Sequence, residues 1–423
     1  MLAISPVIIF LAMYVVVSIA VSDFYKMPFV VALLTASAWG IAIYREKPLM
    51  GRLEVFSRSA GEFNIIYMIW IFVLAGAFAS LAKELGSVEA TVNIALDIMP
   101  SSLIVPGLFL AACFISLSVG TSVGTVVALA PLSTQLALAG DGNVAYYTAV
   151  VLGGAFFGDN LSFISDTTIA ATRSQGCDMA DKFKANLWIA LPAAIATLIL
   201  YTIMSAGEAP IAVEEKGPWW LVIPYLTVIA TAIMGVNVTI VLTLGIISAL
   251  IMGLLQGKEL LTLFGYMGTG IDSMGDLIIV TLLAAGMLGI VKATGGIKWL
   301  LQKLTAKVNG QRGGQAVIAG LVSIVNLCTA NNTVAIITVG QISKEISDRF
   351  HIDPRKSASL LDTCSCIVQC IIPYGAQTLL ATSLAGISPQ EPFIYLYYPW
   401  MLAITVILSI VFLFPRRLHK RQD

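Results

Sequence analysis

The sequence predicts an all-α polytopic membrane protein, and three observations predict it. First, 58% of the 423 residues are hydrophobic and only 11% are charged, too few charges to cover a water-soluble fold of this size. Second, apolar runs of 17 or more residues recur along the chain, each long enough to cross roughly 30 Å of hydrocarbon as a helix. Third, the second half of the chain echoes the first. The mean hydropathy of +0.90 and the weak two-residue alternation exclude an outer-membrane barrel.

Ten full spans are expected at about 3–21, 28–44, 64–82, 144–172, 186–205, 218–235, 237–255, 274–291, 357–382 and 397–414. The first lacks a basic leader and contains Pro6, so it is read as a span and not as a cleavable signal. Two further apolar stretches, 102–138 and 316–342, are interrupted by polar residues near their middles. Both are expected to be re-entrant hairpins, because backbone breaks at membrane depth only where protein or a water-filled cavity covers it.

The charges test this arrangement. With the N-terminus inside, 20 of the 24 basic residues fall in cytoplasmic segments. These are Arg45 to Arg58, then Arg173, Lys182 and Lys184, then Lys292 to Arg312, Lys344 to Lys356, and the tail from Arg416 to Arg421. Only Lys26, Lys83, Lys216 and Lys258 fall outside. That asymmetry is what the positive-inside rule predicts, and counting either hairpin as a full span would destroy it. Both termini are therefore expected in the cytoplasm, in a prokaryotic inner membrane.

The internal echo has an offset near 209 residues. Ala82–Val88 matches Val291–Ile297, Thr121–Thr125 matches Thr329–Thr333, and Thr168–Thr172 matches Thr378–Thr382. Three matches in one order imply two repeats of five transmembrane helices plus one re-entrant hairpin each. An odd number of spans inverts the second copy, and inverted repeats with broken helices place a binding site near the midplane. The expected division is 1–205 for the first repeat, an acidic extracellular linker over 206–217, and 218–423 for the second repeat with its basic tail.

The polar residues concentrate where that site is expected. Within the span 144–172, the run Gly158-Asp159-Asn160-Leu161-Ser162-Phe163-Ile164-Ser165-Asp166-Thr167-Thr168 holds two carboxylates, an amide and several hydroxyls. An ionised Asp at depth costs at least about 2.5–3.5 kcal/mol on insertion scales, so it is paired, protonated or facing a cavity. Gly158 permits a local break. Asp159 and Ser165 are alternatively caps of a half-helix. The hairpin tips, Gly120 to Thr125 (with Thr121, Ser122 and Thr125) and Thr329 to Thr333 (with Asn331, Asn332 and Thr333), offer hydroxyls, amides and bare backbone. Such groups suit a hard cation or a carboxylate.

The partner of the aspartate run, Leu361 to Thr378, carries Asp362, Gln369 and Gln377, with Pro373 and Gly375 as its break. Asp362 is either a proton-handling group or a solvated cap. Cys364, Cys366 and Cys370 lack zinc-ligand spacing and read as packing residues, and no cysteine pattern suggests disulfides. Asp272 and Asp276 are expected to be solvated. No P-loop is present, neither histidine suggests catalysis, and a net charge of zero argues against nucleic acid.

At Phe157 to Thr168 the sequence resembles the NhaC family of sodium/proton antiporters, within the ion transporter superfamily. Many members carry FGDKLSPLSDTT there, and the tip GTSVGT resembles their GTS-x-GT. The resemblance implies an elevator-type transporter with a scaffold, a mobile domain and a homodimeric assembly. It also implies that Asp159, Ser162, Asp166, Thr167, Thr121, Ser122 and Thr125 line the cation path. Asn160 stands where the family often has Lys, and Phe163 where it often has Pro.

The leading expectation is therefore sodium/proton antiport, with no cofactor, no enzymatic activity, and sodium and protons as partners in a lipid membrane. Asp159, Asp166, Asn160, Ser162, Ser165, Thr167, Thr121, Ser122 and Thr125 are the candidate cation ligands. The alternative is sodium-coupled transport or exchange of a small amino acid or carboxylate, bound by Asn331, Asn332, Thr333, Gln369, Gln377 and Asp362. A passive channel is a third class, disfavoured by the repeats.

Overall fold

The computed structural model describes residues 2–10, 12–13, 28–98, 100–162, 165–205, 218–234, 236–296, 299 and 310–415. The remainder of the first span, the linker 206–217, Lys26, Lys216, Lys298, Lys303, Lys307, His419 and the basic tail lie outside the described residues. All described elements are helical. Among the described residues, seven helical stretches are long and apolar enough to cross a membrane.

In the first half these helices are α1 (Phe29–Ile43), α2 (Leu49–Ala60), α3 (Phe63–Glu84), α4 (Ser87–Ile98), α5 (Ile104–Val119), α6 (Ser122–Ala139), α7 (Val144–Leu161), α8 (Asp166–Gln175) and α9 (Met179–Ser205). In the second half they are α10 (Ile223–Ile233), α11 (Val238–Leu255), α12 (Leu260–Asp272), α13 (Gly275–Ala293), α14 (Gly310–Thr329), α15 (Asn332–Arg349), α16 (Pro354–Ile371), α17 (Ala376–Ala385) and α18 (Tyr397–Val411).

The bounds of α6, α7 and α8 recur 210 residues later as those of α15, α16 and α17. Backbone conformation recurs with them. Gly120 and Ala330 both turn left-handed, at φ 73° and 48°. Asp141 and His351 do the same, at φ 51° and 52°. This spacing corrects the tip alignment expected from sequence: Thr121 corresponds to Asn331 and Ser122 to Asn332, two residues beyond the pairing that residue likeness suggested. Backbone geometry aligns the tips where side-chain chemistry has diverged.

Three segments without a span turn out to be helical. Helices α2, α4 and α12 are 12, 12 and 13 residues long, too short to span by themselves. In α2, Arg52 and Arg58 share the helix with Phe56, whose ring fills the space beside Gly286 of α13. In α12, Gly270 meets Gly76 of α3 so closely that a Cβ on either would strike the other's carbonyl. Small residues of this kind let membrane helices approach backbone to backbone.

The helices pack as two groups. Helices α1, α2, α3, α11, α12 and α13 contact one another on one side, and α5 to α9 pack with α14 to α18 on the other. In the second group, Ser116 of α5 lies against Gly158 of α7, and Phe109 lies against Gly153 and Gly154. Helix α5 thus runs alongside α7 and ends beside the end of α7. Helix α6 then returns along α7, so the α5–α6 hairpin brings its tip to the place where α7 stops.

Two of the lysines assigned to cytoplasmic segments are not loop residues exposed to water. Lys182 and Lys356 are fully buried. Lys356 bonds Ser409 Oγ, and it donates to the Phe414 carbonyl at 3.0 Å. Each sits on a helix face whose next turns are buried, so its charge points into the bundle and not into a loop. Asp272 and Asp276 are exposed, as expected.

Candidate functional site

The span that carries the aspartates is interrupted between Leu161 and Asp166. The break is not at Gly158, which the sequence suggested. Gly158 is helical, and its missing side chain admits Ser116, whose hydroxyl donates to the Ala155 carbonyl at 2.5 Å. Helix α7 ends at Leu161 and α8 begins with a serine cap, a hydroxyl taking the place of a helix bond. Ser162 leaves α7 in extended conformation. Ser165 caps α8, accepting the Thr168 N–H at 3.2 Å while its own hydroxyl reaches the Asp159 carbonyl at 3.1 Å. In the second half the break follows Ile371 and ends at Gly375, with Pro373 inside it.

Asp159, in the last turn of α7, is 5% exposed. Its carboxylate lies at the N-terminus of α6. The Ser122 N–H donates to Oδ1 at 2.9 Å, and the Ser122 hydroxyl donates to Oδ2 at 2.5 Å. The capping alternative and the site alternative thus coincide in one residue, since the acid completes another helix's first turn at the edge of a cavity.

That cavity holds about 440 Å³. One side is built from the two tips and the two breaks: Thr121, Ser122, Asp159, Ser165, Asp166 and Thr167 from the first half, Asn331, Asn332, Thr333, Gln369 and Gln377 from the second. The other side comes from α3 and the start of α11, through Tyr67, Met68, Ile71 and Asn237. Tyr67 donates to Asn237 Oδ1 at 3.2 Å across that wall. Asp166, unlike Asp159, is exposed. The break turns the two acids into different environments, whereas a continuous helix would have set them on one face.

The tips are joined by amides. Gln369 Nε2 donates to the Ala330 carbonyl and to Gln377 Oε1, both at 3.0 Å, and Gln377 Nε2 donates to Ser122 Oγ at 3.0 Å. One hydrogen-bonded path therefore leads from the second tip to the Asp159 carboxylate.

Four of the sequence-predicted site residues lie away from the cavity. Thr125 is buried one turn into α6, its hydroxyl directed at the Thr121 carbonyl at 3.3 Å. Asn160 is buried on the far face of α7, where Nδ2 donates to the Phe156 carbonyl and the Tyr398 hydroxyl. Ser162 is buried in the break, its carbonyl accepting the Thr168 hydroxyl at 2.9 Å.

Asp362 is the fourth. It is fully buried and forms an ion pair with Lys182, and it accepts from Asn186 Nδ2 at 3.2 Å. It is neither solvated nor at a helix end. Lys182 is the residue that the sequence reading missed. Its ammonium also donates to the Asn160 carbonyl at 2.9 Å and to Thr168 Oγ1 at 2.7 Å. It thereby ties the end of α7 and the first turn of α8 to α16. The signal that could have found it is periodicity: Lys182, Asn186, Ile189, Ala190 and Ala193 form one stripe of α9, and all are buried.

Among the described residues no group of three or more His, Cys, Asp or Glu side chains could hold a metal ion. The cavity instead offers one buried carboxylate, hydroxyls and carbonyls, which suit a transiently bound hard cation. All six cysteines are free, and five are buried.

Comparison with known proteins places the chain in a family. The model of the Na+/H+ antiporter family matches residues 2–206 and again 201–415. The chain is 21% identical over 452 residues to a malate-2H+/Na+-lactate antiporter of Bacillus subtilis, covering 96% of this chain and 93% of that one. It is 24% identical over 425 residues to the Na+/H+ antiporter NhaC of Alkalihalophilus pseudofirmus, covering 91% and 89%. Among solved structures it is similar to the YdaH transporter of Alcanivorax borkumensis, at 15% identity, TM-score 0.42, and coverage of 91% and 97%. The chain is thus a multi-pass membrane protein and a transporter, not an enzyme, and it belongs to the Na+/H+ antiporter family.

Proposed function

We propose that the chain exchanges sodium for protons at Asp159, by moving the cavity between the two faces of the membrane. The observation that carries this is the Asp159 carboxylate, buried yet held by Ser122 at the margin of a polar cavity. A buried carboxylate needs neutralising charge. Sodium and a proton each supply it, and the neutral acid is a poor cation ligand. Binding of one therefore expels the other, which is the coupling an antiporter needs.

The rest of the reading follows from the layout. The two halves are inverted repeats, divided at the 206–217 linker and joined at their tips and breaks. The group α5–α9 with α14–α18 is the moving body of an elevator, and α1–α3 with α11–α13 form its scaffold. The cavity lies between them, so a sliding body carries its cation past Tyr67 and Asn237. Ser165, Asp166, Thr167 and Thr121 complete the cation path. Both termini are cytoplasmic in an inner membrane, and the resemblance implies a homodimer.

The test is flux. In liposomes with an internal pH reporter, a sodium gradient is expected to drive opposite proton movement, and Asp159→Asn to abolish it. Sodium gradients that move no protons would overturn the reading.

A second reading is favoured by the cavity's volume. About 440 Å³ is within the size range of small-molecule sites and far more than a bare ion needs. Sodium-coupled transport or exchange of a small amino acid or carboxylate is therefore the alternative, consistent with the organic acids named for the Bacillus subtilis relative.

A further inference from the structure

The first break encloses a cation that belongs to the chain. The Lys182 ammonium pairs with Asp362, and it donates to the Asn160 carbonyl at 2.9 Å and to Thr168 Oγ1 at 2.7 Å. An ammonium has three N–H donors, and each of these oxygens takes one. Asn186 Nδ2 braces two of the same oxygens, donating to the Asn160 carbonyl at 2.8 Å and to Asp362 Oδ2 at 3.2 Å. None of the five residues is more than 1% exposed.

These partners are also those of a free hard cation. A carbonyl, a hydroxyl and a carboxylate are all oxygen ligands. The Asn160 carbonyl lies in the last turn of α7, where carbonyls lack helical donors and the helix dipole favours positive charge. Asp362 needs a counter-charge at this depth. The cage adjoins the cavity, because Ser165 donates to Thr168 Oγ1 at 3.0 Å and itself lines the cavity wall. In the second half Pro392 stands 210 residues beyond Lys182. There the buried hydroxyl of Thr378, counterpart of Thr168, has no hydrogen-bond partner among the described residues.

We propose that this cage is a cation site kept filled by a tethered ammonium, and that it admits a sodium ion once the ammonium is removed. Lys182 does not line the cavity. It is a positioning residue, holding the end of α7 to the start of α8 as a bound ion would. Because Asp362 is neutralised within the chain, no transported ion has to neutralise it. Asp159 is then the buried acid whose charge an exchanged cation cancels, and each chain carries a single sodium ion. Only this last step rests on the Asp159 reading.

The purified full chain in detergent tests it, with labelled sodium counted at equilibrium and choline holding the ionic strength. The unaltered protein is expected to bind a single sodium ion and Asp159→Asn none. Adding Lys182→Ala to Asp159→Asn is expected to create a new sodium site, and adding Asp362→Asn as well to abolish it. The unfolding constant of Lys182→Ala/Asp159→Asn is expected to fall about tenfold for each tenfold rise of sodium above its dissociation constant. Propylammonium, which matches the atoms that the truncation removes, is expected to act in the same way, and propanol is not. A merely structural lysine would give neither response.

Lys182→Ala/Asp159→Asn that binds no sodium, and whose unfolding responds to neither cation, overturns the inference. So does sodium still bound to Asp159→Asn alone. If the truncated variant is unstable, it is purified with propylammonium present; folding that depends on that cation supports the inference, and no recovery with either cation overturns it. An unaltered protein that binds no sodium overturns the Asp159 reading and leaves the cage to be judged on the Lys182 variants.

Discussion

The Lys182–Asp362 pair allows a quantitative prediction. Both side chains are fully buried, and each has neutral partners as well: Asn160 O and Thr168 Oγ1 for the lysine, Asn186 Nδ2 for the aspartate. Two unit charges about 4 Å apart attract by about 4 kcal/mol at an effective dielectric of 20, roughly what burying them costs. Removing only one leaves a buried charge unpaired, at about 3–5 kcal/mol. Lys182→Met and Asp362→Asn are each expected to destabilise by that amount. The double variant is expected to lie within about 1–2 kcal/mol of the unaltered protein, since neither charge then remains. Equilibrium unfolding in mixed detergent, followed by tryptophan fluorescence, measures the cycle. A coupling of at least about 2 kcal/mol is expected. Single effects that add to within about 0.5 kcal/mol, as independent sites do, would refute the pairing and with it the role of Lys182 in fixing the break.

Gly158→Ala is expected to cost about 1–3 kcal/mol by overpacking, because a Cβ there runs into Ser116 and comes within 2.5 Å of Leu117 N; unfolding of the purified variant measures it. Sodium half-saturation at a fixed gradient is expected to rise as pH falls, by up to about tenfold per unit once protons hold the site, and to lose that dependence in Asp159→Asn. Cys177, in the turn between α8 and α9, has its thiol pushed up to about 11 by burial, with Asp353 adding to the rise. Its alkylation by a maleimide is expected to speed up about tenfold per pH unit from pH 7 to 9, since only the thiolate reacts, and only when reagent is added on the cytoplasmic side.

Much of this arrangement was legible because membrane burial makes polar residues conspicuous. Asp159, Ser122, Asn332 and Gln377 stand out in apolar runs, and all four line the cavity. The helical break was legible only approximately. Gly158 looked like its cause, yet the helix runs on to Leu161 and Ser165 caps the next one, and nothing local distinguishes a hydroxyl that caps a helix from one that bonds back along it, as Thr172 does. Helix α2 escaped because its arginines suggested a loop, while its apolar side needed α13 as a partner to be recognised. Lys182 and Lys184 look alike in sequence, but one is buried and the other's side chain is 75% exposed. Two residues is half a helical turn, which is the difference between the core and the surface.

The amides of the second half also explain why the first half needs only one buried acid. Gln369 donates to Gln377, Gln377 to Ser122, and Ser122 to Asp159, so every donor along the path points towards the carboxylate. Aligned bonds of this kind polarise one another. A second carboxylate at 369 would reverse the first of these bonds. It would also place a like charge in the same cavity, where both acids could not readily stay ionised together. A proton arriving at Asp159 removes the charge that this chain of donors converges on. Under the proposed exchange, that loss is relayed through Gln377 and Gln369 to the Ala330 carbonyl of the second tip.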